Sequence, residues 1–204
     1  MMPAIFVTPA GIGSSFSWVL RSLAELPVFG RMLMLLRAPI EQPDMLWVAL
    51  PMLLATLVME LYFGVYADEE LGWNSAVGNA IFLVLVSLNL FRELLWTTGI
   101  SADYVMAQLP LYLIAGALML LSLSMLVLNF RHALPRHVAF SISSWLPVNL
   151  LAYLAVVLVS SNLPDGPGIP LDGVTAAAAV ALLFLLMVFF GAVHQAVQSN
   201  SPAE

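Results

Sequence analysis

Ionisable and amide side chains are scarce in this chain, so the few that fall inside apolar runs are the first whose chemistry needs a reason. Glu60 lies in an apolar stretch that closes at Tyr66, six residues later and about 9 Å further along a helix axis. A charge at the centre of a bilayer-spanning helix costs at least ~2.5 kcal/mol, which makes a carboxylate at such a depth a functional candidate. The next apolar stretch carries Ser75, Asn79, Asn89 and Glu93. At 100° per residue these fall within an arc of about 80°. Asn79 lies five residues in from Asn74 and so comes to nearly the depth of Glu60, where the two could hydrogen-bond. Such a stripe must face neighbouring helices or a wet cavity, because carboxamides left in lipid are costly. Two readings follow. Glu60, Asn79 and Asn89 line a path for an ion or proton, or these groups and Glu93 hydrogen-bond between helices, at roughly 0.6–2 kcal/mol per contact.

A second concentration of functional side chains is the short run Arg131-His132-Ala133-Leu134-Pro135-Arg136-His137. Arginine and histidine at a membrane surface suit a lipid phosphate. With the acidic stretch Asp68-Glu69-Glu70 on the same side, the histidines could also complete a site of two His and a carboxylate. Against that, the two His are five apart with Pro135 between them, which does not match the i,i+4 pairing of zinc hydrolases. No metal ligand is therefore assigned, and a solvated loop with interfacial anchors is the plainer reading. His194 reads as an end-of-helix polar residue. Gly11-Ile12-Gly13-Ser14-Ser15 before a helix is explained by a serine cap without any anion. Ser143-Ser144, beside Trp145, has neither a GxSxG setting nor a base in its own segment. The sequence thus assigns no catalytic residue and no cofactor.

The elements that must position these groups follow from composition. Of 204 residues, 62% are hydrophobic and 9% charged, against roughly 25% charged in soluble domains. Mean hydropathy is +0.99, and a water-soluble monomer is excluded. The expected fold is all-α, a polytopic integral membrane bundle of five apolar runs near the ~20-residue length that crosses a bilayer. These spans run from Met45 to Tyr66, Trp73 or Asn74 to Trp96, Leu109 to Phe130, Ala139 to Leu163 with an interruption at Pro147, and Val174 to Val197. The link LPDGPGIPLDG reads as a Pro/Gly turn. The run Thr175 to Ala179 suits a close helix contact, within the chain or between copies. No internal repeat and no inverted pair of broken helices is visible.

Three regions result: an N-terminal segment 1–44, a transmembrane domain 45–198 and a polar tail 199–204. Residues 1–13 are apolar but broken by proline and glycine. Over 14–37, divided by Pro27, an amphipathic helix with Trp18 and an i,i+4 pair of Arg21 and Glu25 is followed by a short helix to Arg37 that is apolar nearly all round. This segment either lies in the membrane surface or packs onto the protein's own helices, and both bury the same face.

There is no cysteine, which removes disulfides and thiol chemistry, and a net charge of -6 with no lysine argues against nucleic acid as a partner. Arg21, Arg31, Arg37 and Arg92 fall on the N-terminal side, against Arg131 and Arg136 on the other. That asymmetry predicts a multi-pass protein of the cell membrane with a cytoplasmic N-terminus. The functional expectation is a non-enzymatic accessory or scaffold subunit, its partners being the lipid bilayer and other membrane proteins or further copies of itself. The alternatives are a small transporter or channel using Glu60 with Asn79 and Asn89, and an enzyme acting on lipid head groups through the 131–137 run.

Overall fold

A computed structural model describes residues 26–66, 72–98 and 101–200. Among these, every regular element is a helix: α1 (Pro27–Glu41), α2 (Pro43–Val65), α3 (Trp73–Thr98), α4 (Ala102–Ala107), α5 (Leu109–Phe130), α6 (Arg136–Ile142), α7 (Trp145–Ser160) and α8 (Gly173–Asn200). Five units are long and apolar enough to cross a membrane: α2, α3, α5, the α6–α7 pair and α8. This is the all-helical, five-span architecture that the apolar runs predict.

Proline punctuates the chain. Pro27, Pro43 and Pro110 each stand at the start of a helix, where the missing N–H would have had no intrahelical partner. The expected third span coincides with α5. The last helix runs past the expected end at Val197 and takes in the start of the polar tail, while residues 201–204 lie outside the described residues. The fourth span is two helices, and its interruption falls at Ser143-Ser144, with Pro147 inside the first turn of α7. The reason is geometric, since a proline ring collides with the carbonyl four residues earlier and offers it no donor. For Pro147 that carbonyl belongs to Ser143.

Of the five spans, α6–α7 has 61% of its apolar window buried and each of the others 22–33%. It is the central post. On one side α3 pairs extensively with α5; on the other α2 packs on α8 and α1 lies against α8 and α2; both groups close on α7. Leu83, Leu90, Leu111, Val148, Val156 and Leu182 are fully or almost fully buried along these seams. Fully burying one such side chain contributes about 1.5–3 kcal/mol where water is the alternative, but within lipid the gain is close packing.

Helix α1 takes in residues 27–37 of the expected N-terminal segment. Leu35 and Ala38 are buried against the bundle, and Arg31 reaches Asp172 at the head of α8 at 3.4 Å. Residues 27–41 therefore pack onto the protein's own helices, and the helix continues past Arg37 to Glu41. Residues 14–25, with Trp18 and the Arg21–Glu25 pair, lie outside the described residues, as do Gly11–Ser15 and the acidic stretch 68–70. Asp172 also accepts the backbone N–H of Thr175 at 2.8 Å, while the Thr175 hydroxyl donates to Pro170 O at 2.6 Å. These contacts, the Thr175 N–H first and the Arg31 charge after it, hold the Asp172 carboxyl below its ordinary range. The small-residue run is used within the chain, with Thr175, Ala178 and Ala179 buried.

Candidate functional site

The polar side chains of the spans gather at the two ends of α7. At its N-terminal end, Ser143 and Ser144 leave helical geometry, Ser144 being extended at φ −70 and ψ 161. Pro147 cannot donate to the Ser143 carbonyl. Asn79, from α3, does so instead at 2.7 Å. Asn129, from the last turn of α5, donates to the Ser143 hydroxyl at 2.7 Å and to Ala76 O at 3.3 Å. Ser144 donates its hydroxyl back to Ser141 O at 3.0 Å. Asn79 is 3% exposed, and Asn129 and Ser143 are fully buried. Backbone carbonyls at membrane depth must find donors inside the protein, and the two asparagines supply them.

At the same end of the bundle, Glu60 on α2 meets His194 on α8, Oε2 to Nδ1 at 3.3 Å, with side-chain exposures of 14% and 30%. The expected contact between Glu60 and Asn79 does not form. Depth was matched, but α2 packs on α7 and α8 whereas α3 packs on α5 and α7, so the two residues belong to different seams. The helices carrying Glu60 and His194 approach closely one turn further on. A side-chain carbon on Gly64 would stand 2.9 Å from Val197 Cβ and 3.1 Å from His194 O, so this seam needs glycine there.

At the other end of α7, Ser160 donates to Glu93 of α3, 3.3 Å from Oε2. The stripe on α3 is thus divided by function. Ser75 is exposed, Asn79 and Glu93 clasp opposite ends of α7, and Asn89 is half-buried on the wall of a cleft. That cleft opens where α2 and α3, consecutive in the chain, fail to pair. Its outer part, about 420 Å³, is bounded by Val48, Asn89, Arg92, Glu93 and Trp96. An adjoining part, about 410 Å³, shares Glu93 and Thr97 with it and is bounded by Gln42, Asp44, Ser160 and Asp165 among others. Gln42 donates to Asp165 O at 2.7 Å, while its own Oε1 is buried without a partner.

The basic run lies at the end that carries Glu60. The chain leaves α5 by a Schellman turn: His132 N–H to Asn129 O at 3.1 Å and Ala133 N–H to Leu128 O at 2.9 Å, with His132 at φ 51. The imidazole stacks on Trp73 at 4.1 Å, Trp73 meets Phe140 edge-on at 5.1 Å, and the Arg136 guanidinium sits 5.3 Å over Phe140. Arg136 and His137 open α6 and are not part of a loop, as the sequence had implied. Arg131 and His137 are exposed. His132 and Arg136 are engaged with aromatic rings, while the lipid-phosphate role expected of the run stays a proposal.

The sequence reading missed Tyr153, Asn129 and Asp172. Tyr153 lies on the buried face of α7 and donates to Leu35 O at 3.2 Å. That carbonyl is free because Pro39 stands four residues later, just beyond the 14–37 segment. Asp172 was legible as an acid three residues before Thr175 at the mouth of a span. Two other buried hydroxyls turn back on their own helices, Thr56 to Met52 O and Ser87 to Leu83 O, each at 2.8 Å, while Ser161 Oγ is buried without a partner. Among the described residues no group of three or more His, Cys, Asp or Glu gathers to hold a metal. Asn129 Oδ1 and Asn149 Nδ2 are buried without partners. Comparison of the chain with protein-family models, with curated proteins and with solved structures found no match in any of the three.

Proposed function

We propose that this membrane-embedded helical chain is a non-enzymatic accessory or scaffold subunit, which holds other membrane components through its outer helical faces. One observation carries the reading: polar side chains at the two ends of α7 close the fold on itself. Asn79, Asn129 and Ser143 tie one end of α7 and Glu93 with Ser160 the other. Between them the α7 seams are lined largely by Leu150, Ala152, Val156 and Val157. Groups spent on interhelical contacts stabilise a shape. Tagged purification from native membranes in mild detergent, with the mass of the intact complex, tests this. A partner held at fixed stoichiometry supports the subunit role, and a chain that always comes out alone ends it.

A transporter or channel is the second reading, favoured by the contact of Glu60 with His194, two groups able to exchange a proton inside a span. Loss of proton or ion flux in vesicles containing the Glu60→Gln protein, with the fold retained, would support it. For orientation, the described arginines at the N-terminal side are Arg31, Arg37 and Arg92, against Arg131 and Arg136 opposite. This supports a cytoplasmic N-terminal side in the cell membrane. Single cysteines at Leu134 and Asp165 test it: labelling from outside intact cells should reach the first and spare the second.

A further inference from the structure

We infer that the cleft between α2 and α3 holds one phospholipid with a primary-amine head group, of the phosphatidylethanolamine type. The cleft begins on the outer face of the bundle and ends beside the cap of α7, with Glu93 and Thr97 on the walls of both its parts. Glu93 lies five residues before Thr98, the end of α3, a depth of about 7 Å that matches the head-group and acyl boundary. Trp96, 89% exposed at the mouth, is the residue type that sits at that boundary.

Charge selects the head group. Arg92, beside Glu93 at the outer part, offers a guanidinium to a phosphate. Beside it the cleft presents three carboxylates, those of Asp44, Glu93 and Asp165. One cation against three carboxylates repels a head group whose net charge is negative, such as phosphoglycerol. An ammonium with three N–H donors can hydrogen-bond to more than one of these carboxylates at once. A choline nitrogen carries positive charge but no donor, and forms no hydrogen bond to these carboxylates. The exposed side chains of Trp47, Val48, Leu85 and Leu88 on α2 and α3 supply apolar surface for the acyl chains.

Native mass spectrometry of the full chain, titrated with phosphatidylethanolamine, phosphatidylcholine and phosphatidylglycerol of identical acyl chains, tests the inference. The expected result is one tightly held ethanolamine lipid, favoured about tenfold over choline, the step that one charge-assisted hydrogen bond makes. Glu93→Gln should reduce that preference towards parity. Because Glu93 also meets Ser160, Asp44→Asn, at an exposed helix start, provides a second variant and should reduce the preference severalfold. Arg92→Gln should weaken all three lipids alike. Equal retention of ethanolamine and choline lipids, preference for phosphoglycerol, or a preference unchanged by both acid substitutions overturns the inference.

Discussion

Pro39 and Pro147 take the same two things from a helix, a donor and the space beside the carbonyl four residues back, yet the outcomes differ. At Pro39 the helix runs on to Glu41, and the freed Leu35 carbonyl receives one donor, the Tyr153 hydroxyl. At Pro147 the chain leaves helical geometry over Ser143 and Ser144, and side chains from α3 and α5 fill the gap. In a membrane-embedded bundle the neighbouring donors decide how far a helix can open, because lipid supplies none. One tyrosine tolerates a proline inside a helix, whereas two asparagines and two serine hydroxyls stabilise a break.

The contrast can be broken from either side. Asn79→Leu leaves the Ser143 carbonyl buried and unpaired, and should cost about 1–3 kcal/mol in reversible unfolding from mixed micelles. With Pro147→Ala in place, the new N–H can reach Ser143 O and join α6 to α7, so Asn79→Leu should then cost much less. An unchanged cost would mean that Asn79 does not serve the proline break. Tyr153→Phe should cost less, about 0.5–1.5 kcal/mol, since a single hydroxyl is removed. Its cost should fall towards zero on Pro39→Ala, which returns a donor to Leu35. If both double-mutant cycles are additive, the proline-freed carbonyls are not what these side chains are for.

The smallest effect concerns pH and sharpens the comparison. Asp172 pins α1, which carries Pro39, and its carboxyl is held below its ordinary range, first by the Thr175 N–H. A carboxyl with a lowered folded value contributes stability above its unfolded value, about 3.9, and loses it as pH falls through the folded one. Spin labels on α1 and α8 should therefore keep their distance from neutrality down to about pH 4 and separate below it. Asp172→Asn should abolish the acid step. The carboxamides at the Pro147 break do not titrate, so labels on α3 and α7 should show no step around Asn79.

Much of the fold could be read from the amino-acid sequence because lipid imposes a length and an apolar composition on each span. The third span, expected from about Leu109 to Phe130, is legible for that reason. The site was legible only in part. The stripe of Asn79, Asn89 and Glu93 is a property of one helix, whose 3.6-residue period the sequence displays. Which helix each member would meet is not, since depth along an axis says nothing about rotation or neighbours. Glu60 illustrates this, matched in depth to Asn79 and bonded instead to His194 on a span more than 100 residues away.

The amino-acid sequence alone determined that this chain is helical and built of five membrane-length spans. It also set where prolines would start helices and which few polar groups would sit among apolar ones, because period, length and backbone sterics are local. Only the tertiary structure decided that α7 stands at the centre, that α2 and α3 part to leave a cleft, and that the Pro147 break opens at Ser143 under two asparagines. Those outcomes depend on which faces pack in close contact and which donors arrive from elsewhere in the chain, and in lipid the apolar faces are nearly equivalent until packing tells them apart.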